Sequence, residues 1–141
     1  MAKLSVQWLQ AEYGFEATDE NGLKVRYDNA PGSGGKLFGI SPMKGLLMSL
    51  CTCSGIDVVL ILNKKRQEIS SFAIEVEGER EENKVPALWQ KAHMKFILSG
   101  QIEEAKAIRA IELSINNYCS VAETLRRAGC VISWELVLNG Q

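Results

Sequence analysis

Residues 46–62 form the most apolar run of the chain, and they decide what it can fold into. The run is interrupted by Ser49, Thr52, Ser54, Gly55 and Asp57, a polar load that a lipid-spanning segment rarely carries. Just upstream, Ser41-Pro42 supplies a capping hydroxyl and a proline for the first helical position, where a missing N–H costs nothing. The pattern therefore predicts a helix from residue 42 to about residue 67, apolar on nearly every side and surrounded by protein. Gly45 and Gly55 each cost such a helix about 1 kcal/mol relative to alanine. A close approach by another backbone or a ligand would account for them.

The remaining elements are arranged around that helix. Alternation over residues 4–8, 13–18 and 23–28 reads as three strands, and Asn21-Gly22 between the last two is a strong hairpin signal. Residues 30–39, rich in Pro and Gly, read as a loop. Downstream, Phe72, Ile74 and Val76 alternate with polar neighbours, as do Ala92, Met94, Phe96 and Leu98, and a charged turn at 79–83 separates the two runs. A helix over 102–118, a short helix ending at Arg127 before Gly129, and a strand over 131–138 complete the chain. Strands and helices are largely segregated, so the expected class is α+β with mainly antiparallel pairing, in one domain over residues 1–141. The net charge of −1 leaves no footprint for nucleic acid. No leader pattern precedes the first strand, and four cysteines without one point to reduced thiols in the cytoplasm.

Two of those cysteines stand out. Cys119 directly precedes Ser120-Val121-Ala122-Glu123, a capping-box pattern, and the positive end of that helix should push its sulfur toward ionisation. Cys53 lies on the apolar helix, on a stripe with Met43, Leu46, Leu50, Asp57 and Leu60. A buried cysteine is ordinarily a small hydrophobe, so packing and chemistry are both open for it. Asp57 reads as an acid satisfied by backbone donors or a partner side chain. Cys51 and Cys53, two apart, are separated by about 200° around a helix and cannot share a metal. The lone His93 sits at an outward strand position among lysines, so no ligand set assembles and neither metal nor cofactor is expected. Cys51 and Cys130 read as packing residues, and Trp8, Trp89 and Trp134 as core or rim aromatics. A cation to activate Cys53 is missing from its own helix, since Lys64 lies about 16 Å further along the axis. Arg26, on the third strand, is the plainest candidate, although a solvated face suits it equally well.

The blocks Gly39-Ile40-Ser41-Pro42-Met43, Leu46-Leu47-Met48-Ser49-Leu50 and Cys53-Ser54-Gly55-Ile56-Asp57-Val58-Val59 resemble the OsmC/Ohr family of osmotically inducible and organic hydroperoxide resistance proteins. Glu112-Leu113-Ser114 and Tyr118-Cys119-Ser120-Val121 extend the resemblance, as do Arg66 and Val76-Glu77-Gly78-Glu79-Arg80 between the blocks. It implies an intertwined α+β homodimer with sites at the subunit interface. It also implies a thiol-peroxidase pair in which Cys53 attacks an organic hydroperoxide, Cys119 condenses with the sulfenic acid, and an external dithiol reduces the disulfide. Peroxidase members of that family carry an acid just after the proline of this helix, where Met43 and then Lys44 stand here. Their arginine belongs to the first hairpin, yet residues 15–22 contain none. The chain looks closer to a less characterised OsmC-like branch. Two rivals remain: a dimeric protein binding a small apolar ligand with inert thiols, and another thiol activity such as a hydrolase or disulfide reductase.

Overall fold

The computed structural model describes residues 1–10 and 12–141. It divides into two compact units, residues 1–46 and 47–141, with the boundary inside the first long helix.

In the first unit β1 (Ser5–Gln10), β2 (Gly14–Thr18) and β3 (Lys24–Tyr27) form an antiparallel meander. The expected Asn-Gly turn closes β2 onto β3. Gly22 takes the positive φ of 82° that a side chain disfavours, and its N–H donates to the Asp19 carbonyl at 3.1 Å. Asp19 Oδ1 accepts the N–H groups of Asn21 and Leu23, holding the turn from the side. After β3, the buried Asp28 carboxylate accepts backbone N–H bonds from Asn29, Lys36 and Phe38 and so gathers the following loop. Those bonds, Lys36 first, hold its pKa below the usual carboxylate value. The alternation of β1 predicts one buried face, but every residue of the strand is exposed, with Trp8 at 61%. Three short strands have no second layer of their own to lie against.

The helix α1 (Pro42–Lys64) starts at the expected proline. It stops earlier than residue 67 because Arg66 adopts φ 58°; the N–H of Gln67 then bonds Leu62 O and that of Arg66 bonds Asn63 O, a Schellman closure. The helix is not surrounded by this chain. Leu47, Leu50, Ser54, Val58 and Leu62 form one buried stripe, while Met48, Ile56, Val59 and Leu60 stay exposed. By length and composition α1 could cross a membrane, and only 33% of its most apolar window is buried within the chain.

In the second unit β4 (Glu68–Arg80) and β5 (Trp89–Gln101) pair antiparallel, and β6 (Val131–Leu138) lies parallel to β5. That parallel pair departs from simple antiparallel pairing. It is possible because α2 (Glu104–Leu113) and α3 (Ser120–Arg127) supply the long crossover that parallel strands need. As the alternation predicts, Ala92, Met94, Phe96 and Leu98 point into the core. Phe96 stacks on Phe72 and meets Trp134 edge-on, each at 6.3 Å between ring centroids. The α1 helix lies on this same face, with Gly55 against the Phe72 and Ile74 side chains. Side chains fill the approach that the glycines allow, for Gly45 likewise meets the Tyr27 ring within the first unit. Trp89 is buried, whereas the opposite sheet face carries His93 between Ser133 (2.7 Å) and Glu135 (2.8 Å), all polar and partly exposed.

Candidate active site

The second unit brings the two predicted cysteines together. Cys53 sits half-buried on α1, and Cys119, only 2% exposed, begins α3; the two side chains lie near enough for the Cys53 sulfur to help raise the Cys119 pKa. The pairing depends on how α2 ends. A single helix over 102–118 is expected, but α2 gives way at Ser114 to a π-helical turn, Ser114–Tyr118, closed by a 2.7 Å bond from the Cys119 N–H to the Ser114 carbonyl. A π turn holds one residue more than an α turn, and such turns recur at functional sites. Here it delivers Cys119 to the start of α3.

The capping box does not form. Cys119 itself is the N-cap of α3, and its sulfur accepts the Ala122 N–H at 3.4 Å; Ser120 is already the first helical residue. Glu123 turns away to pair with Arg126 and Arg127, which lower its pKa. Arg126 also donates to the Ile115 carbonyl at 2.6 Å and so braces the π turn.

The expectation that Cys119 ionises easily is also corrected. Its thiol is pushed up to about 11, first by burial and then by the neighbouring Cys53 sulfur, against the N–H bonds from Ala122 and Val121. Desolvation outweighs the helix end. Cys119 is therefore a neutral thiol over the physiological range. Burial alone raises Cys51 to about 11 and Cys130 above its ordinary value, in keeping with packing roles. At pH 8 only about a thousandth of a thiol with such a pKa is ionised. Iodoacetamide should accordingly label Cys119 at least about 30-fold more slowly than N-acetylcysteine at pH 8, the gap closing as the pH climbs toward 11. Peptide mass spectrometry reads that rate directly, and labelling as fast as the free thiol would contradict the assignment.

Sequence reasoning missed the polar network beside the sulfurs. Ser114, fully buried in the π turn, donates to Asp57 Oδ2 at 2.9 Å and lies 2.9 Å from Ser54 Oγ; Ser54 is equally buried and directly follows Cys53. Asp57 is thus an acid satisfied by a partner side chain, as its place in an apolar run predicts. The available signal was two serines in otherwise apolar surroundings, but only the fold places them opposite each other.

The activating cation does not emerge. Arg26 donates to Glu16 at 3.2 Å and stacks over the Phe38 ring at 4.6 Å, within the first unit. Among the described residues, no lysine or arginine hydrogen-bonds Cys53. Two clefts flank α1 within the second unit, and neither Cys53 nor Cys119 is among the residues lining them. One of about 690 Å³ runs along the open side of α1 past Cys51, Gly55, Ile56, Val59, Phe72 and Ile74. A smaller one, about 320 Å³, is bounded by Asp57, Leu60, Ile61, Leu113 and Tyr118, with Lys64 and Lys65 at its rim.

Comparison with known proteins agrees with this architecture. The profile of the family described as "OsmC-like protein" matches residues 32–135. Protein YhfA of Escherichia coli K12 is 40% identical over 89 residues, which cover 62% of this chain and 66% of YhfA, just under two thirds of its length. A crystal structure of a hypothetical protein from Aquifex aeolicus VF5 superposes with a TM-score of 0.81 at 31% identity, covering 98% of this chain and 97% of that one. The organic hydroperoxide resistance protein OhrB of Bacillus subtilis shares the fold, with a TM-score of 0.62 at 16% identity over 97% of this chain and 98% of its own. The chain belongs to the OsmC/Ohr family.

Proposed function

We propose that the protein is a two-cysteine reductase of organic hydroperoxides that works as a homodimer in a reducing compartment. The observation that carries this reading is the nearness of Cys53 to a Cys119 thiol kept neutral by burial. In the first step the Cys53 thiolate attacks the outer peroxide oxygen. The O–O bond breaks, the alkoxide takes a proton and leaves as an alcohol, and Cys53 becomes a sulfenic acid. Cys119 then attacks that sulfur, forming the S–S bond as hydroxide leaves and, with the Cys119 proton, becomes water. An external dithiol then restores both thiols and is itself oxidised to a disulfide.

This chemistry sorts the thiols into two roles. A nucleophile must be reachable, and Cys53 is the less buried of the pair. A resolving thiol that stayed ionised would repel the attacking thiolate; one held neutral does not. The apolar walls of the smaller cleft, Leu60, Ile61 and Leu113, favour a hydrocarbon-bearing peroxide over hydrogen peroxide. Neither sulfur lines it, but Asp57, one helical turn beyond Cys53, and Tyr118, directly before Cys119, do. Homodimerisation is supported by what one chain leaves bare: the open side of α1 and the β1–β3 sheet.

Steady-state turnover with dithiothreitol as reductant tests the reading. Cumene hydroperoxide should be consumed catalytically, with kcat/KM at least about ten times that for hydrogen peroxide. No consumption above the dithiothreitol background, together with binding of an apolar probe in the clefts, would favour a ligand-binding protein with inert thiols.

A further inference from the structure

We propose that Ser114 is a positioning residue for disulfide formation, fixing Cys119 against Cys53 while its hydroxyl hydrogen-bonds neither sulfur. This deepens the peroxidase reading and rests on it for its biological meaning. Ser114 holds two elements at once. Its hydroxyl donates to the Asp57 carboxylate and lies 2.9 Å from Ser54 Oγ, which binds the π turn to α1 at the residue following Cys53. Its carbonyl receives the Cys119 N–H at 2.7 Å, which fixes the residue bearing the second sulfur. A hydroxyl has one proton. Since a carboxylate only accepts, that proton goes to Asp57, and Ser54 completes the chain by donating to Ser114. Both serines are fully buried, so neither bond can be exchanged for water without opening the packing.

The π turn gives this anchor its purpose. An i→i+5 turn is less regular than the helix it interrupts and would relax in several ways if released. Pinned at Ser114 from the inside, and at Ile115 by the Arg126 guanidinium from the outside, it has one position. The expected consequence is a high effective concentration of the Cys119 thiol at Cys53, set by orientation rather than by the intrinsic reactivity of either sulfur.

Glutathione redox buffers read that quantity without any peroxide. Oxidised glutathione takes two electrons and two protons from Cys53 and Cys119, giving one protein disulfide and two glutathione thiols, and peptide mass spectrometry identifies the pair. Ser114→Ala should lower the effective concentration of the pair by at least about ten-fold. Val58→Ala, which removes volume from the same buried stripe but none of the hydrogen-bonding groups, should leave it within about two-fold. In a Cys119→Ser background, dimedone trapping of the Cys53 sulfenate should be equal with Ser114 or Ala at that position. An effective concentration in Ser114→Ala within about two-fold of wild type, or an equal fall in Val58→Ala, overturns the proposal. If Ser114→Ala does not fold, Asp57→Asn decides instead: it keeps the volume but weakens the accepting charge, and a fall of less than about three-fold overturns the proposal. Failure of peroxide to oxidise Cys53 in the wild type would sink the peroxidase reading alone, because the glutathione measurement stands apart from it.

Discussion

Cys53→Ser should lower kcat/KM for cumene hydroperoxide by at least about a thousand-fold, to the level of free dithiothreitol, while Cys119→Ser should reduce one equivalent of peroxide quickly and then turn over only as slowly as the reductant meets its sulfenic acid. The asymmetry follows from the division of labour between the thiols. A serine hydroxyl is not ionised near neutral pH and cannot displace an alkoxide from oxygen, so without Cys53 there is no first step. Without Cys119 the first step survives. The sulfenic acid then persists until dimedone, the reductant or a second peroxide meets it. Stopped-flow kinetics with quantitative mass spectrometry distinguish the two patterns. Activity retained in Cys53→Ser would assign the chemistry elsewhere, and a full catalytic rate in Cys119→Ser would remove the resolving role from the second thiol.

Ile56→Asp should turn the proposed homodimer into monomers, weakening association by at least about 100-fold. Ile56 is 64% exposed on the open side of α1. For an isolated chain this would be an ordinary surface change, worth within about 0.5 kcal/mol. For a chain whose second copy covers that side, it buries an unpaired carboxylate at a cost of several kcal/mol. Light scattering after gel filtration reads the mass against the 15.6 kDa of one chain. Twice that mass is expected for the wild type and a single chain for the variant, with unchanged circular dichroism. A dimer of unaltered affinity would show that α1 is covered in some other way.

The sequence revealed the elements more readily than their exposure. The Asn-Gly turn, the proline start of α1 and the alternation of β5 are local signals, decided by backbone sterics and by a single buried face. They survive in the structure nearly residue for residue. Burial is a property of neighbours. The pattern of α1 says correctly that all its sides are apolar, but it cannot say which of them this chain covers. The same limit applies to β1, whose alternation promises a buried face and whose side chains all remain open.

At the site, the type and order of the two cysteines were legible, and their environments were not. A helix start argues for a lowered thiol pKa, yet almost complete burial of Cys119 reverses the sign. Ser120 and Glu123 have the spacing of a capping box, but Cys119 takes the cap because the π turn shifts the helix start by one residue. The Ser54–Ser114–Asp57 network joins residues about sixty positions apart in the chain, and no local period encodes such a contact.

The most direct test of the central claim is a count of thiols after a single turnover. The fully reduced protein is mixed with one equivalent of cumene hydroperoxide, quenched with acid, alkylated and digested. The account predicts that two thiols per chain are lost, at Cys53 and Cys119 joined in one disulfide-linked peptide, while Cys51 and Cys130 stay reduced. Four intact thiols beside unreacted hydroperoxide would contradict it.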